Sequence, residues 1–397
     1  MQESKFCPLP WFNITTDVNG SVRPCCRFAQ PGDQVDHKMP WLQDGSIKSL
    51  WNGPEMRGLR RAFLNGEQPA DCSWCWKEEE NNVRSYRQTY IDEYNSDYDN
   101  VDFTTDYSPN PTVFDLKLSN VCNLKCRMCG PTASSSILKE EKTYKYFTLQ
   151  DTKEHEYWLT NKILGTLNEK DFMEWLPSIV ELQFTGGEPL VSPENKQLIK
   201  AISETEYAKN IRVQLNTNAT HFNTVFVEQL KKFKEIHLDA SIDDMGPRIE
   251  YARHGSKWAT LDNNLKRYNS IKEIKLNVWA TVNNYNIWYL DELINYCDEN
   301  NIEIALGALH TPNELSIQYL PEYLKDAIRE KYTKPIHLDP IANELRAKRL
   351  KPIINFLDAS NENLIKEFLK TTWIYDRIRK EKFKDVFPEW RDMIYYG

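Results

Sequence analysis

The amino-acid sequence predicts an α/β fold with a parallel sheet. From Thr112 to about Leu309, short segments rich in β-branched and aliphatic residues alternate with stretches of helical periodicity. Six strand-plus-helix repeats at this spacing are typical of a parallel sheet, either doubly wound or curled into a partial barrel. The six strand candidates are Val113–Leu118, Val180–Phe184, Ile211–Leu215, Glu235–Ala240, Ile274–Thr281 and Ile302–Leu306.

Helical stretches separate these strands. In parallel sheets with helical connections, the chemistry lies at the C-terminal ends of the strands. The loops that follow the strands are therefore where we look for functional residues. The helical candidates are Pro193–Tyr207, Thr220–Phe233, Lys257–Ile271 and Ile287–Asn300.

The N-terminal part of the chain is predicted to be a small, loop-rich module. A hairpin is expected from Asn13–Thr16 and Ser21–Arg23, with its turn at the Asn19-Gly20 pair. The charged stretch from Trp76 to about Tyr94 predicts a surface helix. The stretch Asn100–Pro111, which carries Asp, Thr, Ser and two prolines, predicts a linker.

The C-terminal part of the chain, residues 310–397, is predicted to be helical and to end in a short tail, Trp390–Gly397. It carries no motif that indicates chemistry. Its helical candidates are Pro321–Tyr332, Ile341–Phe356 and Glu362–Lys382.

Composition and charge narrow the class of protein. The chain has 397 residues and a formal net charge of −8, which argues against nucleic acid as the main partner because phosphate binding favours a basic surface. No run of about 18 apolar residues appears, so no membrane span is predicted. The N-terminus lacks the apolar core of a signal peptide, which predicts a cytoplasmic protein. In that compartment the nine cysteines are expected to be metal ligands or free thiols rather than disulfides.

Three cysteines directly follow the first predicted strand. Cys122, Cys126 and Cys129 have the spacing C-x3-C-x2-C. Three thiolates on one tight loop can hold three irons of a [4Fe–4S] cluster and leave the fourth iron open. A zinc site that lacks its fourth ligand is the alternative, although structural zinc sites have four ligands.

The ends of the following strands complete a recognisable pattern. The second strand ends in Phe184-Thr185-Gly186-Gly187-Glu188-Pro189, the third in Asn216-Thr217-Asn218-Ala219 and the fourth in Ala240-Ser241-Ile242-Asp243-Asp244. Downstream lies Tyr251-Ala252-Arg253-His254-Gly255. Together with the three cysteines, these motifs resemble the radical S-adenosylmethionine (SAM) superfamily over about half of the chain. The resemblance implies a partial (β/α)6 TIM-like barrel.

The resemblance also implies cofactors and a reaction class. SAM would chelate the open iron, and one electron from the cluster would cleave it to a 5′-deoxyadenosyl radical that takes a hydrogen atom from the substrate. Gly186 and Gly187 would let the backbone approach the methionyl group, and Glu188 would accept a hydrogen bond from the SAM amino group. The other residues implied in SAM binding are Asn216, Asn218 and Ser241 for the ribose, Arg253 for the ribose or the carboxylate, and Met128, in place of the more usual aromatic residue, for the adenine.

Four further cysteines form a second pattern near the N-terminus. Cys7, Cys25, Cys72 and Cys75 fit C-x12-G-x4-C…C-x2-C, which resembles the twitch domain, a shortened relative of the SPASM domain. The resemblance implies an auxiliary [4Fe–4S] cluster with four cysteine ligands that transfers electrons. Here the module precedes the core, whereas twitch domains usually follow it. Cys26 is an alternative ligand to Cys25, and a structural zinc site is an alternative to the cluster.

These resemblances suggest how the chain is organised. We predict a twitch-like domain over residues 1–98, a linker over 99–111, a radical SAM core over 112–309 and a helical region over 310–397.

The expected function is that of a radical SAM enzyme that modifies a peptide or protein and receives electrons from a flavodoxin or ferredoxin. A radical oxidoreductase acting on a sugar, aminocyclitol or nucleotide is the alternative, and a non-catalytic iron–sulfur or zinc protein is a third reading. No catalytic residue is assigned, because His237, His254 and His310 are each expected to be structural.

Overall fold

The predicted strands are all present in the computed structural model, which describes residues 5–18, 20–29, 40, 42, 44–80, 84–93, 101–144, 169–334 and 340–396. Four further strands, two of them in the expected N-terminal hairpin, accompany the six that the sequence predicts after residue 112. The strands are β1 Asn13–Thr16, β2 Val22–Arg23, β3 Val113–Leu116, β4 Lys125–Cys126, β5 Glu181–Phe184, β6 Arg212–Thr217, β7 Glu235–Ser241, β8 Arg253–His254, β9 Ile274–Val282 and β10 Glu303–Ala308.

Eight strands form one mostly parallel sheet in the order β10-β9-β7-β6-β5-β3-β1-β2. The six predicted strands therefore follow one another in chain order. A doubly wound sheet would reverse its direction at a switch point. The absence of a reversal among these described strands agrees with the (β/α)6 topology of a partial barrel, and the predicted fold class is confirmed.

The N-terminal hairpin belongs to the same sheet. Strand β1 pairs antiparallel with β2, as predicted, and also pairs parallel with β3, with Asn13 opposite Val113 and Thr16 opposite Leu116. The hairpin turn includes Gly20 in a positive-φ conformation, while Asn19 lies outside the described residues. Pattern reasoning missed the pairing of β1 with β3 because the two strands are separated by about a quarter of the chain.

The segment predicted as a linker packs against the N-terminal module. Trp11 Nε1 donates to Thr105 O at 2.7 Å, and Trp51 Nε1 donates to Ser108 O at 3.0 Å. Ser108 Oγ returns a hydrogen bond of 2.5 Å to Trp11 O. Residues 101–111 therefore lie against the module, while residues 99–100 lie outside the described residues; the domain boundaries themselves stay predictions.

The helices agree with the predictions except in two places. The predicted surface helix is two helices on either side of residues 81–83, which lie outside the described residues, and Trp76, Arg87 and Tyr90 are buried. The predicted tail is helical and buries Trp390. The helices are Leu9–Phe12, Ile47–Trp51, Pro54–Leu64, Ser73–Glu80, Tyr86–Glu93, Ser135–Tyr144, Glu169–Trp175, Pro193–Ser203, Thr224–Leu230, Gly246–Ala252, Trp258–Asn269, Leu290–Glu299, Glu322–Thr333, Pro340–Phe356, Ile365–Arg379, Phe383–Val386 and Pro388–Tyr396.

The chain divides into two compact units. The first comprises Met1–Asn120, Thr152–Leu215 and Asn223–Ile236, and the second comprises Val121–Asp151, Asn216–Phe222 and His237–Gly397. No helix within the part of the chain that the structure describes combines the length and apolar character needed to cross a bilayer.

Each unit has its own apolar core. In the first, Phe114 of β3 is fully buried and packs edge-on against Phe172, with ring centroids 5.2 Å apart. In the second, aromatic residues of the C-terminal helices surround Tyr285, which lies 5.2 Å from Phe368 between ring centroids. The C-terminal region is therefore an integral part of the core of its unit.

The turn after β5 requires a glycine. Gly186 has φ +100°, and a Cβ atom at this position would lie 3.0 Å from Ser119 O. Gly187 N donates to the same carbonyl at 3.0 Å. The backbone of this loop therefore approaches the backbone after β3 more closely than a side chain allows.

We expect Gly186→Ala to lower the free energy of unfolding by at least about 1–2 kcal/mol, because a left-handed conformation and a backbone clash both oppose a Cβ atom. Gly58→Ala is the matched control: Gly58 lies inside the helix Pro54–Leu64 and its nearest contact would be 3.8 Å away. Alanine there should stabilise the helix by up to about 1 kcal/mol. Urea denaturation of both variants checks this, and equal effects would contradict it.

Candidate functional site

The three cysteines of the C-x3-C-x2-C motif lie on a loop and a short strand of the second unit. Cys126 is in β4, which pairs antiparallel with β8 so that Cys126 is opposite Arg253. Cys129 N donates to Cys126 O at 3.1 Å, which closes a turn between these two cysteines. Cys126 is buried, whereas Cys122 and Cys129 are half-buried. We call residues 122–129 the cluster loop.

Three consecutive serines fasten the cluster loop to the start of the helix Ser135–Tyr144. Cys122 N donates to Ser135 Oγ at 3.2 Å, and Ser136 Oγ donates to Cys122 O at 2.7 Å. Ser134 Oγ donates to Leu124 O at 2.7 Å. The run Ser134-Ser135-Ser136 was not singled out in the sequence, although serines before a helix are typical of capping.

The protonation of the thiols in the cluster loop depends on their surroundings and on whether metal is bound. Burial raises the pKa of Cys126 and of Cys129, and the Arg253 guanidinium opposes that rise. Thiolates are the metal-binding form, and bound metal stabilises them where burial alone would not. The donor set therefore fits a cluster held by three cysteines.

Arg253 lies beside the cluster loop and is held by a carboxylate. Its Nε and Nη2 donate to the two carboxylate oxygens of Asp243 at 2.7 and 3.0 Å. Thr281 N donates to Asp243 Oδ1 at 2.9 Å, and the remaining Arg253 nitrogen, Nη1, lies 3.8 Å from Cys126 Sγ. Asp243 lies two residues after Ser241 in the strand-end motif, but the motif alone gave it no role. The predicted contact of Arg253 with SAM stays a prediction.

Asn218 also contacts the cluster loop. Its Nδ2 lies 3.9 Å from Cys122 Sγ and donates to Asn123 Oδ1 at 3.0 Å. Its Oδ1 accepts from Thr220 N at 3.0 Å, as a capping residue would. Asn218 therefore positions the loop, and its predicted ribose contact stays a prediction.

Three further residues predicted to bind SAM lie in the second unit. Asn216 is exposed near the end of β6, and Ser241 is half-buried at the end of β7. Met128 packs against the apolar core of the unit through part of its side chain. Their roles toward SAM stay predictions.

The glycine-rich loop after β5 lies in the first unit. Glu188 is buried, and its Oε1 accepts from Leu190 N at 3.0 Å. The same residue starts the next turn, since its backbone carbonyl accepts from Ser192 N at 2.9 Å. One carboxylate oxygen of Glu188 is thus committed to the backbone of its own loop.

Four N-terminal cysteines line one cavity of the first unit. Cys7, Cys25, Cys72 and Cys75 face this cavity, and Cys26 does not. Its other lining residues are Leu9, Arg27, Phe28, Phe63, Trp76 and Arg87.

These four thiols are electrostatically coupled. Burial, then Cys75, raises the pKa of Cys7 to about 12, and burial raises the pKa of Cys75 to about 11. Backbone N–H groups of Leu9 and Arg87 oppose these rises by donating to the sulfurs of Cys7 and Cys75. Four sulfurs around one cavity, two of which accept backbone N–H groups, fit a fully ligated iron–sulfur cluster.

Cys26 lies beside a different group of polar residues. Burial raises its pKa, followed by the charge of Asp115, while Lys117 and Arg27 and a hydrogen bond with Tyr86 oppose the rise. Cys25 and Cys26 are thus adjacent in sequence and lie in different surroundings.

A buried carboxylate, Asp115, was missed by the sequence analysis. Thr185 Oγ1 donates to Asp115 Oδ1 at 2.7 Å, and burial raises the pKa of this carboxyl group. Asp115 in β3 and Lys117 just after it alternate with the apolar residues Phe114, Leu116 and Leu118, and this alternation could have placed both on one face of the sheet.

Among the described residues, no group of three or more Cys, His, Asp or Glu side chains is arranged around a single metal ion. Ligands of one zinc ion must all lie within about 2.3 Å of one point. The thiolates of a four-iron cluster each bind a separate iron, so they are spread more widely than those of a single ion. The absence of a single-ion site among the described residues is therefore compatible with a four-iron cluster in the cysteine-lined cavity.

Two family models match the chain. Residues 116–297 match the radical SAM superfamily, and residues 7–76 match SPASM, an iron–sulfur cluster-binding domain. The two matches contain the seven cysteines of the cluster loop and the N-terminal cavity.

Known proteins similar to this chain include the uncharacterized protein MJ0907 of Methanocaldococcus jannaschii, which is 29% identical over 189 residues. The alignment covers 46% of this chain and 56% of that protein, so the chain spans little more than half of its relative.

The structural likenesses are distant. SuiB of Streptococcus suis bound to SAM is 17% identical with a TM-score of 0.37, covering 72% of this chain and 56% of SuiB. The enzyme anSMEcpe bound to SAM is 15% identical with a TM-score of 0.37, covering 68% of this chain and 62% of that one. TM-scores below 0.5 carry no argument, so the assignment rests on the two family models.

The fold, the cluster loop and the cysteine-lined cavity agree with those matches. The cofactors of such a chain are [4Fe–4S] clusters and SAM. The chain belongs to the radical SAM superfamily, with its SPASM-type cluster-binding domain N-terminal to the radical SAM core.

Proposed function

We propose that this protein is an enzyme that cleaves SAM reductively and uses the resulting radical to take a hydrogen atom from a peptide or protein substrate. The observation that carries the proposal is the cluster loop, in which three cysteines on one short loop lie against Asn218 and Arg253. When bound, a three-cysteine [4Fe–4S] cluster and SAM supply the electron and the 5′-deoxyadenosyl radical. The protein positions both and excludes water from them.

In this proposal Cys122, Cys126 and Cys129 hold the cluster. Asn218 and Arg253 stabilise the conformation of the loop. Asn218 contacts the sulfur of Cys122, and Arg253 contacts the sulfur of Cys126. Arg253 also brings a positive charge to the anionic thiolates, and Asp243 keeps its guanidinium in place.

SAM itself would be held by residues from several loops. Gly186 and Gly187 supply a close backbone approach, and Glu188 is the candidate acceptor for the SAM amino group. The remaining candidates are Asn216, Asn218, Ser241, Arg253 and Met128.

The second cluster would be held by Cys7, Cys25, Cys72 and Cys75. Their common cavity supports Cys25 over Cys26 as the fourth ligand. A cluster with four protein ligands has no open iron and therefore suits electron transfer rather than substrate binding.

A peptide or protein is the proposed substrate class, as the resemblance to radical SAM proteins of the SPASM and twitch type implies. Electrons would come from a flavodoxin or ferredoxin. A sugar, an aminocyclitol or a nucleotide is the competing substrate class.

Iron analysis tests the two-cluster arrangement. After anaerobic reconstitution we expect about eight irons per chain in the wild type, and about four when Cys122, Cys126 and Cys129 are all changed to alanine. Changing Cys7, Cys25, Cys72 and Cys75 should also leave about four. Cys26→Ala is the matched control and should retain the full content.

Three results would contradict this arrangement. A wild type with about four irons would exclude two clusters. Zinc in place of iron in the N-terminal cavity would support the structural alternative. If Cys26→Ala loses iron while Cys25→Ala keeps its full iron content, Cys26 and not Cys25 is the ligand.

The substrate class is tested by product formation. We expect a peptide substrate to increase 5′-deoxyadenosine formation by at least about tenfold over the uncoupled reaction, and deuterium at its reacting carbon to appear in 5′-deoxyadenosine. Peptides encoded near this gene are the first candidates, with sugars, aminocyclitols and nucleotides assayed in parallel. Stimulation and deuterium transfer with one of those small molecules alone would replace the peptide proposal.

The Arg253–Asp243 pair should be important for stability as well as for the cluster loop. Arg253→Met leaves the buried Asp243 carboxylate without its partner and should cost about 3–5 kcal/mol of unfolding free energy. Lys257→Ala removes a pair with Glu250 in which Lys257 is 73% exposed, and should change little. Urea denaturation distinguishes the two, and equal losses would contradict the role of burial.

A further inference from the structure

Arg127 is a buried cation inside the cluster loop that the proposed function does not use. It lies between Cys126 and Cys129 in sequence, and its side chain is fully buried. One nitrogen, Nη2, donates to Asp376 at 2.9 Å and to Glu381 at 2.6 Å. Its Nε donates to Tyr251 O at 3.1 Å. A loop residue is thereby joined to two carboxylates that lie about 250 positions later in the chain.

Tyrosine rings enclose the same guanidinium. Its central carbon lies 3.6 Å from the ring centroid of Tyr251, 5.3 Å from that of Tyr375 and 5.7 Å from that of Tyr285. Cations over aromatic faces are stabilised most when they are desolvated, as here. Arg127 is therefore held by aromatic packing as well as by ion pairs.

The two carboxylates are held in place by other groups. Asp376 accepts from Tyr251 OH at 2.6 Å through Oδ1 and from Phe383 N at 2.7 Å through Oδ2. Glu381 Oε1 lies 2.6 Å from His254 Nδ1, and His254 is in the strand that pairs with β4. Neither carboxylate depends on Arg127 alone for its position.

A sharp turn brings Glu381 to this place. The helix Ile365–Arg379 ends at Lys380, which adopts the left-handed conformation with φ +57°. Glu381 N then donates to Asp376 O at 3.0 Å. This closing turn places the carboxylates of Asp376 and Glu381 side by side, where one guanidinium nitrogen reaches both.

A second connection joins the same helix to the other side of Cys126. Arg379 Nη2 donates to Glu140 Oε2 at 2.8 Å, and both side chains are almost completely buried. Lys125 Nζ donates to the other oxygen of Glu140 at 2.8 Å. Both neighbours of Cys126, Lys125 and Arg127, are therefore tied to the C-terminal helix.

We propose that this network positions the cluster loop for its metal, so that the C-terminal region is part of the cofactor-binding machinery. We call Lys125, Arg127, Glu140, Asp376, Arg379 and Glu381 the clasp. It contains three cationic and three anionic side chains, which balances charge next to the thiolates. The clasp residues are positioning residues, since they act on the cysteines through the loop. The inference depends on the proposed function for the identity of the metal.

Glu381→Gln is the principal test variant, because Glu381 is only partly buried and its change is compatible with folding. The amide loses the negative charge that pairs with Arg127. Asp385→Asn is the matched control: it makes the same kind of change a few residues later, at an exposed position. Arg127→Met is the stronger variant, with Arg346→Met as its control, a buried arginine that contacts Tyr332 O and Lys334 O instead of the cluster loop.

The measurements use the full-length protein reconstituted with iron and sulfide. Changing a residue that supports metal ligands typically lowers metal affinity about 10–100-fold, so the SAM-binding cluster should lose iron to a chelator correspondingly faster in Glu381→Gln and Arg127→Met. The change that SAM produces in the electron paramagnetic resonance (EPR) spectrum of the reduced protein should weaken in the same variants. The SAM-independent signal of the N-terminal cluster should be unchanged, and both control variants should behave as the wild type.

Two results would overturn the clasp. The first is a wild-type rate of iron loss together with a wild-type response to SAM in Glu381→Gln and Arg127→Met. The second is equal loss in Arg346→Met or Asp385→Asn, because this would indicate general destabilisation. Partial recovery of the spectrum in Arg127→Lys, which restores the charge, would support it. A wild type without a SAM-dependent spectrum would instead refute the proposed function itself.

Discussion

The placement of three thiols on one short loop, one buried and two half-buried, is the constraint on which the second unit depends. Each thiolate needs compensation for lost hydration, and no single neighbour provides it. Arg253 lies beside Cys126, Asn218 lies beside Cys122, and serine hydroxyls bind the loop backbone. The surrounding structure is largely a set of supports for this loop.

The residues that contact the cluster loop are held in place by further residues, and some of these are buried and charged. Asp243 accepts hydrogen bonds from two nitrogens of Arg253 and from a backbone N–H of β9. A buried ion pair of this kind is stabilising only when its hydrogen bonds are satisfied. The Arg253–Asp243 pair therefore connects the cluster loop to β9. Arg127 connects the same loop to the C-terminal helix Ile365–Arg379.

Most of the sheet could be predicted from the sequence because strands and helices are local patterns. Strand-like segments that alternate with helix-like stretches predicted β3, β5, β6, β7, β9 and β10, and the motifs after those strands predicted which loops carry the chemistry. The pairing of β1 with β3 was not predictable in the same way, because nothing local indicates which edge an N-terminal strand will join. The burial of Trp390 in a helix was missed for a similar reason, since its partners lie far away in the chain.

The sequence predicted which residues belong to the candidate site, but not which residues they contact. The partners of Asp243, Arg127 and Asp115 are not evident from local sequence patterns. The carboxylate partners of Arg127 lie about 250 positions away, and Thr185, the partner of Asp115, lies 70 positions away. Cys25 and Cys26 are adjacent in the sequence, and the spacing pattern favoured Cys25 with Cys26 as the alternative. The three-dimensional arrangement adds that Cys25 lines the cavity and Cys26 does not. Local patterns thus identify the cofactor class, while long-range ion pairs and packing determine how its ligands are held.

The most direct test of the central claim is the formation of 5′-deoxyadenosine by the anaerobically reconstituted protein, with SAM and dithionite as the only additions. The account predicts product from the wild type and none from a variant in which Cys122, Cys126 and Cys129 are replaced while the N-terminal cysteines are kept. Absence of product from a wild type with both clusters loaded, or undiminished product from that variant, would contradict it.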